Sequence, residues 1–306
     1  MTLADRLDGA LRHLAEMRTD LSPPVLGAVR DSLNQRRAEA AMTSDTIGVE
    51  VEQREVPASP GLTVRIYRGG PPPSPAMIYC HSGAFVLGNL DTDHLQCIEY
   101  ARRGRCTVIS VNYRLAPEDP FPAALDDAAA VLDWAAQSSA ELGIDAGALA
   151  VAGSSAGGAL AARLAARAAA GAAPPVVFQM LHQPVLDDRP TPSKEEFTTT
   201  PGFDTDAVRW MWRHYLEGAP ASAEAAPGRA GDLAGLPAAL ITCSELDPLR
   251  DEAIDYALRL MWAGVTTELH VFPGTCHGFD SMVPEWDVSE RLFDIQGAAL
   301  RRAFLR

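Results

Sequence analysis

The sequence predicts an α/β protein whose mostly parallel sheet is flanked by helices. Three observations carry that reading. Short apolar runs at 76–80, 107–112, 149–152, 176–181, 238–243 and 267–272 alternate with helix-favouring segments, as strands joined by crossover helices do. Within this alternation, residues 149–158 read LAVAGSSAGG, a buried strand running through small residues into an Ala-rich helix. The 306 residues suffice for a large core, so one α/β domain with a small accessory part is expected rather than two equal domains.

Each element follows from local pattern. Residues 1 to about 42 read as helices broken at Ser22-Pro23-Pro24, because Leu3, Leu7, Leu11 and Leu14, then Val25, Val29 and Leu33, recur at helical spacing. Alternating segments 49–56 and 62–68 flank Pro57-Ala58-Ser59-Pro60-Gly61, a hairpin signal. After a proline-rich loop, strand 76–80 ends on His81-Ser82-Gly83-Ala84-Phe85, and a helix near 93–103 leads to strand 107–112. The loop 113–122 holds three prolines, and helix 123–138 puts Leu125, Ala129, Leu132 and Ala136 on one face. Residues 187 to about 216 break the alternation with a polar loop and a helix rich in large side chains. A Gly/Pro/Ala-rich connector at 219–236 precedes helices 251–263 and 288–304, with strands 238–243 and 267–272 around the first.

Composition removes several function classes. Lys plus Arg total 26 against 40 Asp plus Glu, a net charge of −14, which argues against nucleic acid or an anionic membrane as partner. The amphipathic start MTLADRLDGALRHL has no apolar signal core. No run reaches the length of a membrane span. Five cysteines form no C-x-x-C pair, and an odd count suits reduced thiols in a cytoplasm. Neither Cys80-His81 nor Cys276-His277 has metal-site spacing, and these cysteines read as buried small apolar residues. A homo-oligomer is compatible with all of this.

The chemistry centres on Gly153-Ser154-Ser155-Ala156-Gly157, a G-x-S-x-G match between strand and helix. A serine on so sharp a turn needs small neighbours two residues away on either side, so that strand and helix approach without clashes. The turn exposes the Ser155 hydroxyl, and the Ala156 amide opens the helix facing any oxyanion formed there. A nucleophilic serine needs a base, and the base an orienting carboxylate. His277 lies in a Gly-flanked loop after a strand, where α/β sheets place reacting groups. His270, His182 and His214 have ordinary structural readings. Asp247 follows strand 238–243, with Pro248 stiffening its loop; Glu245 is the rival acid. Further oxyanion donors are expected from the small-residue loop at 81–85.

These segments together resemble the hormone-sensitive-lipase-like family of α/β-hydrolase carboxylesterases. The resemblance rests on His81-Ser82-Gly83-Ala84, on VNYRLAPEDPFPAALDDA at 111–128, on GSSAGG at 153–158, on DPLRDE at 247–252 and on HGF at 277–279. It implies an α/β-hydrolase fold with a helical cap from residues 1–45 and 187–217, the core taking 46–186 and 218–306. It implies Ser155 as nucleophile, His277 as base, Asp247 as acid, and the amides of Gly83, Ala84 and Ala156 as oxyanion hole, with no metal or organic cofactor. The substrate expected is a small apolar ester with a short acyl chain, enclosed by Phe203, Trp210, Trp212 and Tyr215. Relatives on this scaffold that act as dehydratases, acyltransferases or non-catalytic receptors supply the alternatives. Where the family loop commonly reads HGGG, this chain reads HSGA; we expect negative φ at Ala84 and a tighter hole.

Overall fold

The computed structural model describes residues 3–57 and 59–305; Ala58 of the expected hairpin turn lies outside them, as do residues 1–2 and 306. Strands β1 (Glu50–Glu55), β2 (Thr63–Arg68), β3 (Ser74–Cys80), β4 (Thr107–Val111), β5 (Ile144–Ser154), β6 (Phe178–His182), β7 (Ala238–Leu246) and β8 (Thr267–Cys276) form one sheet. Their order is β1-β2-β4-β3-β5-β6-β7-β8. The first two make an antiparallel hairpin, β2 is also antiparallel to β4, and the remaining pairs are parallel.

The longer helices are α1 (Leu26–Thr43), α2 (His94–Gly104), α3 (Ala123–Gln137), α4 (Ala156–Ala169), α5 (Thr205–Leu216), α6 (Arg250–Trp262) and α7 (Asp287–Phe304). Strand periodicity of two sorts the core into layers. Ala76, Ile78 and Cys80 of β3, with Leu149 and Val151 of β5, pack with Leu132 of α3, Leu160 of α4 and Leu260 of α6. Their neighbours Met77, Tyr79, Ala150 and Ala152 face the other way, toward Ile98 of α2 and Phe293 of α7. Each such fully buried large side chain contributes roughly 1.5–3 kcal/mol, which is why continuous apolar strands need helices on both faces.

Two sequence expectations change. Leu3, Leu7, Leu11 and Leu14 do not share one helix: there is one turn at Leu3–Arg6 and a 3-10 turn at Arg12–Leu14. Leu7 and Leu11 are buried instead by wrapping against Phe197, Phe272 and Phe279, and the Asp8 amide donates to the Gly274 carbonyl at 2.9 Å. Bonding to another segment replaces the helical ladder. Strand β8 also runs on past Phe272 to Cys276, which brings His277 directly to the end of a strand.

The N-terminal segment and residues 187–217 are tied together. The Gly202 amide donates to the Met17 carbonyl at 3.0 Å, and His214 Nε2 donates to the Leu21 carbonyl at 2.8 Å. Helix α5 starts on Asp204, whose Oδ1 accepts from the Ala207 amide at 3.0 Å, a capping arrangement that satisfies one orphan donor. Among the described residues, no helix is long and apolar enough to cross a membrane.

Candidate active site

Strand β5 meets α4 at Ser155, which adopts φ 54° and ψ −117°, a strained conformation for a residue with a side chain. The small neighbours are obligatory here. A Cβ on Gly153 would lie 2.1 Å from the Gly157 carbonyl oxygen, and one on Gly157 would lie 1.9 Å from that of Cys80. The turn is held by the Ser155 amide donating to the His182 carbonyl at 2.9 Å, while the Val185 amide donates to the Ser155 carbonyl at 2.9 Å. Such surroundings are what keep a strained residue in place.

Three side chains expected to act together converge from three strand ends. Ser155 Oγ lies 3.0 Å from His277 Nε2, and His277 Nδ1 lies 2.7 Å from Asp247 Oδ2. With Nδ1 assigned the proton, the ring donates to Asp247 and Nε2 is left to accept from the serine hydroxyl. Asp247 is fully buried, and its Oδ1 accepts the Leu249 amide at 2.8 Å. The rival Glu245 instead accepts the Gly274 amide at 2.8 Å. The His182 ring bonds Thr242 and Asp280, and the His270 ring bonds Glu268, so neither imidazole is hydrogen-bonded to the Ser155 hydroxyl.

The His277 turn has a support that sequence reading did not single out. Gln183 Oε1 accepts the Gly278 amide at 2.7 Å, and Gln183 Nε2 donates to Ser244 Oγ at 2.8 Å. Ser244 in turn donates to the Cys276 carbonyl at 2.9 Å. A lone glutamine after His182 carries no local motif, so only the folded chain reveals it.

The loop after β3 departs from expectation. Ala84 has φ 54° and Phe85 φ 60°, not the negative value expected at Ala84. The reason is a tight turn in which the Val86 and Leu87 amides both donate to the Gly83 carbonyl, at 3.0 and 2.8 Å. Left-handed geometry at Ala84 costs on the order of 1–2 kcal/mol. Burial of Phe85, stacked on Tyr215 with centroids 3.7 Å apart, offsets that strain. The amides of Gly83, Ala84 and Ala156 have no acceptor among the described residues. Ser82, the other departure in this loop, is anchored: its amide and Oγ donate to Asp93 at 2.7 and 2.9 Å, and Tyr79 OH donates to the same carboxylate at 3.0 Å. Beside it His81 stacks on Tyr113 and donates from Nδ1 to the Ser82 carbonyl at 2.8 Å. Burial pushes its pKa down to about 4, keeping the ring neutral.

A cavity of about 150 Å³ opens over Ser155 and His277, with Gly83 and Ala84 in its wall. Of the four side chains expected to enclose it, Phe203 lines it, its ring 4.8 Å from that of His277. Trp210, Trp212 and Tyr215 are not among the lining residues. The helical period of α5 turns Trp212 and Tyr215 onto the core beside Phe85, and Trp210 packs on His214. The wall is completed by Thr19, Leu21, Leu33 and Arg37 from the N-terminal segment, a contribution that the helical spacing alone did not specify. Among the described residues, no three His, Cys, Asp or Glu side chains converge as a metal site.

Comparison with known proteins identifies the family. Residues 77–281 match the α/β-hydrolase-fold family model. The crystal structure of esterase LipW from Mycobacterium marinum is 58% identical with a TM-score of 0.97, covering 99% of this chain and 98% of that one. Two Mycobacterium tuberculosis proteins are similar in sequence. Esterase LipI is 42% identical over 67% of this chain and 66% of its own length, and carboxylesterase NlhH is 40% identical over 76% of each. Together with the strand order and the Ser155 turn, these matches establish that the chain belongs to the α/β-hydrolase-fold family, in its hormone-sensitive-lipase-like carboxylesterase branch.

Proposed function

We propose that this protein hydrolyses small, short-acyl carboxylic esters, with Ser155 as nucleophile, His277 as general base and Asp247 as the acid that orients it. The observation that carries the reading is the unbroken relay of 3.0 and 2.7 Å from Ser155 Oγ through His277 to Asp247. His277 Nε2 takes the hydroxyl proton as Ser155 attacks the ester carbonyl, and Asp247 stabilises the imidazolium. The amides of Gly83, Ala84 and Ala156 receive the oxyanion, free of competing acceptors among the described residues. His277 then returns the proton to the leaving alcohol. Water resolves the acyl-enzyme by the same steps, and Ser155 regains its proton.

Residues 1–45 and 187–217 act as a cap over this centre, through Leu21, Leu33, Arg37 and Phe203. A volume of about 150 Å³ suits a short acyl group rather than a fatty chain. Five free, buried cysteines fit the cytoplasm, and a net charge of −14 fits a small ester rather than nucleic acid as partner. The test is a series of 4-nitrophenyl esters of increasing acyl length. kcat/KM is expected to peak at acetate to butyrate and fall at least about tenfold for long chains, which the cavity cannot enclose. Preference for long-chain esters contradicts it.

A further inference from the structure

The cavity over Ser155 contains a cation that the ester hydrolysis described above does not use. Arg37, on helix α1, is the only Lys, Arg, Asp or Glu among the described residues lining it. Its Nη1 is buried without a hydrogen-bond partner, and no hydrogen bond or ion pair joins its guanidinium to the described residues. Other arginines are engaged: Arg30 holds Glu118, Arg65 holds Asp91 and Arg114 holds Asp127. The carboxylate that acts on Arg37 electrostatically is Asp93, which already receives Tyr79 OH and the Ser82 amide and hydroxyl. A buried, unpaired guanidinium donor is costly, and it carries a planar fork matched to a carboxylate. In an acidic chain of net charge −14, this cation stands in a cavity with no carboxylate among its described lining residues.

We propose that Arg37 is a specificity-determining residue and that the preferred substrates are short esters bearing a carboxylate, which pairs with its guanidinium while Ser155 attacks the ester carbonyl. This rests on the ester-hydrolase reading and deepens it. The apolar wall formed by Leu21, Leu33 and Phe203 encloses the short chain between the two groups, so the cavity distinguishes esters by charge as well as by length. The carboxylate belongs either to the acyl half, as in a half-ester of a short dicarboxylic acid, or to the alcohol half, as in the acyl ester of a short hydroxy acid.

The experiment separates these sources with two pairs of near-isosteres followed by pH-stat at pH 7.5. Monoethyl succinate is compared with ethyl 4-methylpentanoate, and 3-acetoxypropanoate with 3-methylbutyl acetate; each pair exchanges a carboxylate for an isopropyl group. In the wild type, the anionic member of at least one pair is expected to have the higher kcat/KM, by about tenfold or more, as a charge-assisted bidentate contact provides. That ratio should fall about tenfold or more in Arg37→Met, with Arg37→Lys between the two because it keeps charge without the fork. A ratio of one or less in both wild-type pairs overturns the proposal without recourse to any variant. So does an unchanged ratio in a folded Arg37→Met or Arg37→Lys protein, which leaves Arg37 as counter-charge to Asp93 alone. Ser155-dependent hydrolysis of the neutral esters with no anionic preference defeats this inference and spares the hydrolase reading. Absence of hydrolysis of all four esters defeats both.

Discussion

Replacing Gly157 by alanine tests whether the Ser155 turn depends on close approach of α4 to β3. The added Cβ would lie 1.9 Å from the Cys80 carbonyl oxygen and 2.7 Å from that of His81. Ordinary contact begins at 3.4 Å, so the first approach is about 1.5 Å too short, and both obstacles are backbone atoms. Neither can swing aside as a flexible side chain would. Relief requires moving the start of α4, which carries the Ala156 amide, or the end of β3, which leads into Gly83 and Ala84. Overpacking of this kind costs typically 1–3 kcal/mol, occasionally more, and the geometry puts Gly157→Ala at about 3 kcal/mol. A displacement of about 1 Å between catalytic groups costs roughly 10²-fold in rate, so kcat/KM should fall at least that far. Urea denaturation and hydrolysis of 4-nitrophenyl acetate measure the two effects. Gly27→Ala is the internal control. Nothing lies within 4 Å of its added Cβ, and in helix α1 it should stabilise by up to about 1 kcal/mol. A Gly157→Ala protein with wild-type stability and rate would refute the reasoning.

Three further outcomes are expected. Asp247→Asn should keep the fold but cost roughly 10⁴ in turnover, because the amide favours the wrong histidine tautomer; an unimpaired variant removes Asp247 from the mechanism. Ala84→Gly relieves about 1–2 kcal/mol of left-handed strain but adds unfolded-chain entropy, leaving up to about 1 kcal/mol of net stabilisation. It should also raise the rate on tertiary-alcohol esters relative to primary ones, and an unchanged ratio refutes the steric role of the methyl. His81 is held neutral, with its pKa down from 6.5 to about 4. A lowered histidine pKa contributes stability that is present above pH 6.5 and lost as pH falls toward 4. Between pH 7 and 4.5 this amounts to about 2.5 kcal/mol. Denaturant unfolding of His81→Asn should show a correspondingly smaller loss over that window, and an equal loss contradicts the assignment.

What was legible in the sequence was what local rules determine. The Gly153–Gly157 spacing announced a turn that only small residues permit, and the structure shows the carbonyl contacts that forbid anything larger. Apolar runs such as 76–80 announced strands covered on both faces, since both parities had to be buried. Less legible was whatever depends on partners far along the chain. The leucines at 3, 7, 11 and 14 have helical spacing, yet the Asp8 amide finds the Gly274 carbonyl instead. Ala84 takes a left-handed φ because the turn closing on Gly83 and the Phe85–Tyr215 stack require it, and no propensity encodes that stack. The aromatic richness of α5 was plain, but which ring reaches the cavity depends on the helix's rotation against the core. That selected Phe203, before the helix, over Trp210, Trp212 and Tyr215. Arg37 left no motif, because its significance lies in the partners it lacks.

The most direct test of the central claim is covalent capture at Ser155. The protein is mixed with a fluorophosphonate ester, its intact mass is measured, and the modified peptide is sequenced by mass spectrometry. Hydrolysis of 4-nitrophenyl acetate is followed in parallel. We predict one adduct per chain, located on Ser155, with loss of activity in step with labelling. Ser155→Ala should show no adduct and a rate reduced by roughly 10⁴–10⁶-fold. Labelling at another residue, or near-wild-type hydrolysis by folded Ser155→Ala protein, would contradict the account.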